Sequence, residues 1–268
     1  MKRVLAAAWA RAYVRVVAAN RELSWVVTEI AIPSLALIVY LLIYRNLNAP
    51  KDYEAMVLLG GAMIPFWLTM LWSMATQFYW EKEMGNLQFY VMSPVPFAAL
   101  LLGMAAGGMY MASIRAAVII AVGVLAFGVK FHISSVPMLA AAFALTISAI
   151  FMLGAAASSI YFVLGRMGIK LNMLLMEPVY ALGGFFFPVK TLGRLGAALV
   201  SVFPVTLGLD AIRQLTLANA HKFMFLDYRI ELAILFAMTL VFGAAAFLLI
   251  DRMLEKGRKL GTLAMRWQ

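Results

Sequence analysis

Few residues in this chain have the type and spacing to do chemistry. Glu81, Lys82 and Glu83 stand just ahead of Gly85 and could make charged contacts with a docked protein. Arg115 sits mid-way along an apolar run, with Glu29 and Glu177 in two others. At the centre of a bilayer-spanning helix an arginine costs about 2.5–3.5 kcal/mol on an insertion scale, so each such charge must face protein or water. Two readings of Arg115 follow: an ion pair with Glu29 or Glu177 inside a helix bundle, or a contact in a solute path. Catalysis finds no constellation. There is no cysteine, His132 and His221 lie far apart, and no acid-rich metal motif, H-E-x-x-H or G-x-S-x-G occurs. No G-x-x-x-x-G-K-[ST] is present to cradle a nucleotide, so no cofactor or metal is expected in this chain.

The elements that must position these residues are membrane helices. Of 268 residues, 65% are hydrophobic and 13% charged, with a mean hydropathy of +0.93; soluble domains carry about 25% charged residues. A soluble enzyme and a disordered binder are thereby excluded. A bilayer core needs about 20 apolar residues per helix. Six runs qualify: 25–44, 56–79, 98–129, 136–164, 171–187 and 230–250. The stretch 195–209 is shorter and broken by Pro204, which suits a re-entrant or interfacial segment. The expected fold is all-α and integral to the membrane, a six-span transmembrane domain over 25–268 preceded by an interfacial helix over 1–24.

Charge sets the orientation. Lys2, Arg3, Arg11, Arg15 and Arg21 precede the first span, and Arg252, Lys256, Arg258, Lys259 and Arg266 follow the last. Both termini are therefore expected in the cytoplasm, which requires an even number of spans. The net charge of +10 speaks to topology, and its dispersal among apolar runs argues against nucleic-acid binding. The first stretch is interrupted by Arg11 and Arg15, unlike a signal peptide. Leu5, Trp9, Ala12 and Val16 fall on one helical face with Arg3, Arg11 and Arg21 broadly opposite, so this helix is expected to point its arginines at lipid headgroups.

The link over 79–97 presents acids, then Leu87, Phe89, Tyr90 and Met92, and is stopped by Pro94 and Pro96. A short, rigid helix of this kind suits docking in a partner's groove. Aromatic and methionine residues gather on the second and fifth spans, among them Trp72 and Tyr180, and suit either a path for lipid-like solutes or an interfacial belt. Gly103, Gly107, Gly108, Gly183 and Gly184 allow close helix packing.

The chain resembles the membrane subunit of ABC-2 type exporters. The link gives Glu81, Lys82, Glu83, Gly85 and Leu87, then Ser93-Pro94, similar to the family's E-[RK]-E-x-G-T-L-E and S-P, departing at Asn86 and Gln88. A second match runs from Gly184 through Phe187-Pro188, then Pro204, Thr206, Asp210 and Arg213, departing at Gly193 and Phe203. The resemblance implies a homodimeric permease with short re-entrant helices over 188–212. It further implies two cytoplasmic ATPase subunits that bind ATP and Mg and contact Glu81, Glu83, Gly85 and Leu87. Outward movement of a drug, lipid or polysaccharide across a prokaryotic plasma membrane would follow; a sodium exporter and a non-transporting scaffold are the alternatives.

Overall fold

The computed structural model describes residues 2–21 and 23–259, and the described part is helical throughout, with no strand. Helix α1 (Lys2–Arg21) precedes α2 (Leu23–Asn46) and α3 (Lys51–Met70). A π-helical turn, Leu71–Ala75, joins α3 to α4 (Gln77–Glu83), and α5 (Leu87–Met92) follows. The long helices α6 (Phe97–Phe127) and α7 (Val136–Leu164) lead to α8 (Arg166–Leu182). After a 3₁₀ turn at Val189–Leu192 come α9 (Gly193–Val200), α10 (Pro204–Thr216) and α11 (Tyr228–Lys259).

Four described helices are long and apolar enough to cross a membrane: Lys51–Ala75, Phe97–Phe127, Val136–Tyr161 and Tyr228–Ile250, with Ile30–Asn46 as a shorter apolar helix. Helix α3 is central, every residue from Ala55 to Trp67 being buried. Around it α6, α7 and α11 leave large apolar side chains such as Leu125, Val241, Phe247 and Leu248 uncovered, the signature of a lipid-facing surface. Helix α7 packs along α11 and α10, and α6 along α3.

The expected fifth span, 171–187, fails as a continuous helix. Helix α8 ends at Leu182, and Gly183–Phe187 turn away from it. Gly184 takes a φ of +82°, a left-handed conformation that favours glycine, so its service is to a turn and not to helix packing. The freed backbone is held from three sides. Tyr44 donates its hydroxyl to the Phe186 carbonyl at 2.9 Å, and Tyr40 stacks on the Phe186 ring with centroids 4.0 Å apart. Gly60 of α3 lies so close that a β-carbon there would overlap the Phe185 backbone.

Arg213 of α10 closes the third side. Its guanidinium, 1% exposed, donates to the carbonyls of Met56 at 2.9 Å, Phe185 at 3.0 Å and Phe187 at 3.4 Å. One cation thus ties α3, α10 and the turn after α8 together, satisfying the carbonyls of Phe185 and Phe187, which lie outside a regular helix. Replacing Arg213 by Leu orphans these buried acceptors and is expected to cost about 3 kcal/mol or more. The variant should lose its monodisperse peak on size exclusion in mild detergent, as should Gly60→Val, while Arg229→Leu on the exposed face of α11 should leave the profile unchanged.

Candidate functional site

The link between α3 and α6 folds as its acids, apolar positions and prolines dictate. Helix α4 ends in a Schellman motif: Gly85 N–H donates to the Lys82 carbonyl at 3.0 Å and Asn86 N–H to that of Glu81 at 2.8 Å. Gly85 supplies the required positive φ of +76° and has nothing within 4 Å of where a β-carbon would stand, so it makes the turn and no close approach. Helix α5 then runs to Met92 and stops before Ser93-Pro94. Leu87 is buried, whereas Met84, Gln88, Phe89 and Met92 point outward, Phe89 at 61% exposure.

Glu81 is turned inward. It is 4% exposed, forms an ion pair with Arg11 of α1 and accepts a hydrogen bond from Gln77 Nε2 at 2.8 Å. Glu83 is partly exposed. Burial holds the Lys82 ammonium below its usual range, with Glu83 opposing that shift. Burial also lifts the Tyr90 hydroxyl, over which the Arg11 guanidinium lies 5.5 Å from the ring centre.

Helix α1 does not present its described central arginines to headgroups. It lies on α6, where Gly103 meets Ala8 and Arg11, and Gly107 meets Ala12 and Arg15. Arg15 Nη1 donates to the Ser73 carbonyl in the π-helical turn at 3.2 Å. Burial, then the neighbouring charges of Arg11 and Arg115, lower Arg15 to about 10. Leu5, Trp9, Tyr13 and Val14 form the outward face instead. The inversion has a simple cause: Glu81 and a backbone carbonyl hold Arg11 and Arg15 in fixed geometry, and the glycines of α6 provide the room.

Beside this contact lies a cavity of about 840 Å³ between α1, α2, α3 and α6. Arg15, Trp72, Ser73 and Arg115 line it together with Pro33 and Pro65. Two positions singled out in the sequence, Trp72 and Arg115, therefore line one cavity. A π-turn of this kind commonly marks a functional position in a helix. Tyr180 is elsewhere, its ring packed on Phe185 and Phe186 with centroids 6.0 and 5.4 Å away. Glu177 stands on the exposed face of α8 and does not line the cavity. The side chain of Glu29 and residues 260–268, with Arg266, lie outside the described residues.

The second motif forms its own cluster. Pro188 caps the 3₁₀ turn and Pro204 opens α10 at its first helical position. Thr206 is buried in α10. Asp210 accepts a hydrogen bond from Phe225 N–H at 2.8 Å, and burial raises its carboxyl above the ordinary range. Gln214 Nε2 donates to Glu231 Oε2 at 3.0 Å and to the Leu226 carbonyl at 2.7 Å. Gln214 and Glu231 escaped the sequence reading, although an acid just inside the last apolar run was a signal that a polar partner must exist.

Residues 5–217 match the family described as ABC-2 type transporter. The chain belongs to this family. Among curated proteins, none matches the sequence. The match covers α1 to the end of α10, and so includes the link, the cavity and the Asp210–Arg213 turn. This is a transporter permease of the membrane, and permeases of the family generally work with an ATPase partner.

The ion pair between α1 and α4 is open to a direct test. The chain has no cysteine, so spin labels at Trp9→Cys and Phe89→Cys, both on exposed positions, report the α1–α5 distance by electron resonance. Glu81→Gln should broaden the distribution, and the swap Arg11→Glu with Glu81→Arg should narrow it again, a coupling of about 1–3 kcal/mol.

Proposed function

We propose that the chain is the membrane half of an ATP-driven exporter. Two copies, each with six spans formed by α2, α3 with its π-turn, α6, α7, α8 and α11, enclose the path. Both termini and the link lie in the cytoplasm of a prokaryote, and the helices between α8 and α11 dip back into the outer leaflet. ATP and Mg bind in two separate ATPase subunits, since no nucleotide motif exists here, and an amphipathic or lipid-linked solute moves outward.

The single observation that carries this reading is the route from docking surface to cavity. The outward apolar side chains Met84, Phe89 and Met92 suit a hydrophobic groove on the ATPase. Next to them Glu81 grips Arg11, and one turn further along α1 Arg15 grips the π-turn that lines the cavity. Movement of the docked link is passed to the cavity wall through one rigid helix. Glu81 acts within the chain as part of that linkage, while Glu83, Gly85 and the α5 face meet the ATPase. Leu87 supports them from below.

The test is purification of the tagged chain from native membranes in mild detergent, with native mass and copurifying proteins read together. A two-plus-two complex with an ATPase is the expected result. Phe89→Asp combined with Met92→Asp should reduce ATPase recovery at least about tenfold, as loss of a central apolar anchor does, with the permease still monodisperse. A stoichiometric complex lacking any ATPase after crosslinking would favour the scaffold instead.

A further inference from the structure

Two buried carboxyls meet where α10 passes the start of α11. Asp210 is 2% exposed and Glu231 is 0% exposed. They are hydrogen-bonded to each other, and both lie on one amide nitrogen, Gln214 Nε2, at 3.5 and 3.0 Å. That nitrogen has only two hydrogens, and its shortest contact is the Leu226 carbonyl at 2.7 Å. The Phe225 N–H donates to Asp210 Oδ2 at 2.8 Å, and the Tyr228 N–H to Gln214 Oε1 at 2.9 Å. Residues 225–228 are thereby wrapped around the acid pair. One oxygen, Glu231 Oε1, is buried with no donor among the described residues.

Charge decides the state of the pair. Two carboxylates in contact do not both stay ionised in a low-dielectric interior. The charged groups acting on them are Arg213 on α10 and Asp227 at the head of α11. Arg213 offsets one negative charge, and Asp227 opposes a second. Of the other elements packed here, α7 carries no Asp, Glu, Lys, Arg or His, and its Tyr161 lies against Gly168 of α8. On α3, Lys51 is exposed, Asp52 is bonded by Asn219, Tyr53 packs on Phe223 and Glu54 pairs with Arg45. His221 and Lys222 of the 3₁₀ turn Ala220–Lys222 are exposed, and Arg229 lies over the Tyr228 ring. A proton is the donor that the orphaned oxygen lacks: as a carboxylic acid, Glu231 donates and Asp210 accepts.

We propose that Asp210 and Glu231 form a single-proton site whose proton holds residues 225–228 on α10. Loss of that proton to water puts two negative charges in contact and releases the loop. The closed loop holds one proton more than the open one, in which both carboxyls meet water and ionise near their ordinary pH of about 4. Opening therefore becomes easier as the pH rises above about 5, by about tenfold per pH unit for one proton. Below about pH 4 both states hold the proton and the dependence ends. The site is complete within one chain and needs neither an ATPase nor a solute, so its failure leaves the transporter reading standing.

Infrared spectra of the full chain in mild detergent read the proton directly, as the C=O stretch of a protonated carboxyl. Near pH 7 the difference between wild type and Glu231→Gln should show one carboxylic acid per chain. Asp210→Asn supplies Glu231 with a donor of its own, so it should remove the same band, and it serves if the first variant does not fold. Hydrogen exchange read by mass spectrometry follows the loop. The internal reference is 131–136, where the His132 and Ser134 N–H groups bond to the end of α10. In the wild type, exchange over 223–230 should quicken with pH more steeply than in the reference, by up to about tenfold per pH unit. In Glu231→Gln, whose amide keeps an N–H for Asp210, the two segments should quicken alike. A difference spectrum without the acid band in a folded variant overturns the proton. A wild-type loop that follows the reference segment at every pH overturns its role as a latch.

Discussion

Buried guanidinium groups set the terms for this structure, because each demands acceptors that a regular apolar helix does not offer. The chain answers by presenting carbonyls from distorted backbone. At one end the turn after α8 leaves the helix and gives Arg213 the carbonyls of Phe185 and Phe187, with Met56 added from α3. At the other, the π-turn in the rod from α3 to α4 gives Arg15 the carbonyl of Ser73. The two breaks in helical regularity are therefore matched by two arginines. Interior irregularity of this sort is tolerated in a membrane where it is buried in protein or lines a cavity, and each case is met once here.

Close backbone approach is the other half of the arrangement. Gly60 admits the Phe185 backbone, and Gly103 and Gly107 admit α1. With little hydrophobic drive between helices in lipid, such contacts gain their stability from packing and polar bonds. The result is that α1, which carries no span, is bound to α6, to α4 through Glu81 and to the π-turn through Arg15. One helix therefore touches both the link and the π-turn that lines the cavity.

Much of this was legible in the sequence and some was not. Proline and apolar length located the fourth long helix at 136–164 and the stop of the link at Pro94, because both act locally. The amphipathic pattern of α1 was visible too, yet which face meets protein was not, since Glu81 and Ser73 are 70 and 58 residues away from their partners Arg11 and Arg15. The π-turn left no signal in composition, as Leu-Trp-Ser-Met-Ala reads as ordinary helix. The end of α8 was hidden for a similar reason: Phe185 to Phe187 extend an apolar run that the backbone abandons. At the link, residue type revealed an acidic surface but not that Glu81 points inward.

The distances along the chain between α1 and its partners have a consequence for synthesis. A chain made from its N-terminus completes α1 well before the glycines at 103 and 107 exist to receive it. In that interval the helix has only the membrane surface to rest on, and its apolar face of Leu5, Trp9 and Tyr13 with arginines opposite suits that place. The pattern that reads as an interfacial anchor is thus the right one for a nascent helix waiting its turn. Once the third long helix is inserted, α1 can rotate its cations from lipid phosphates to Glu81 and the Ser73 carbonyl. Docking of the first helix therefore has to wait until the helix carrying those glycines has been made.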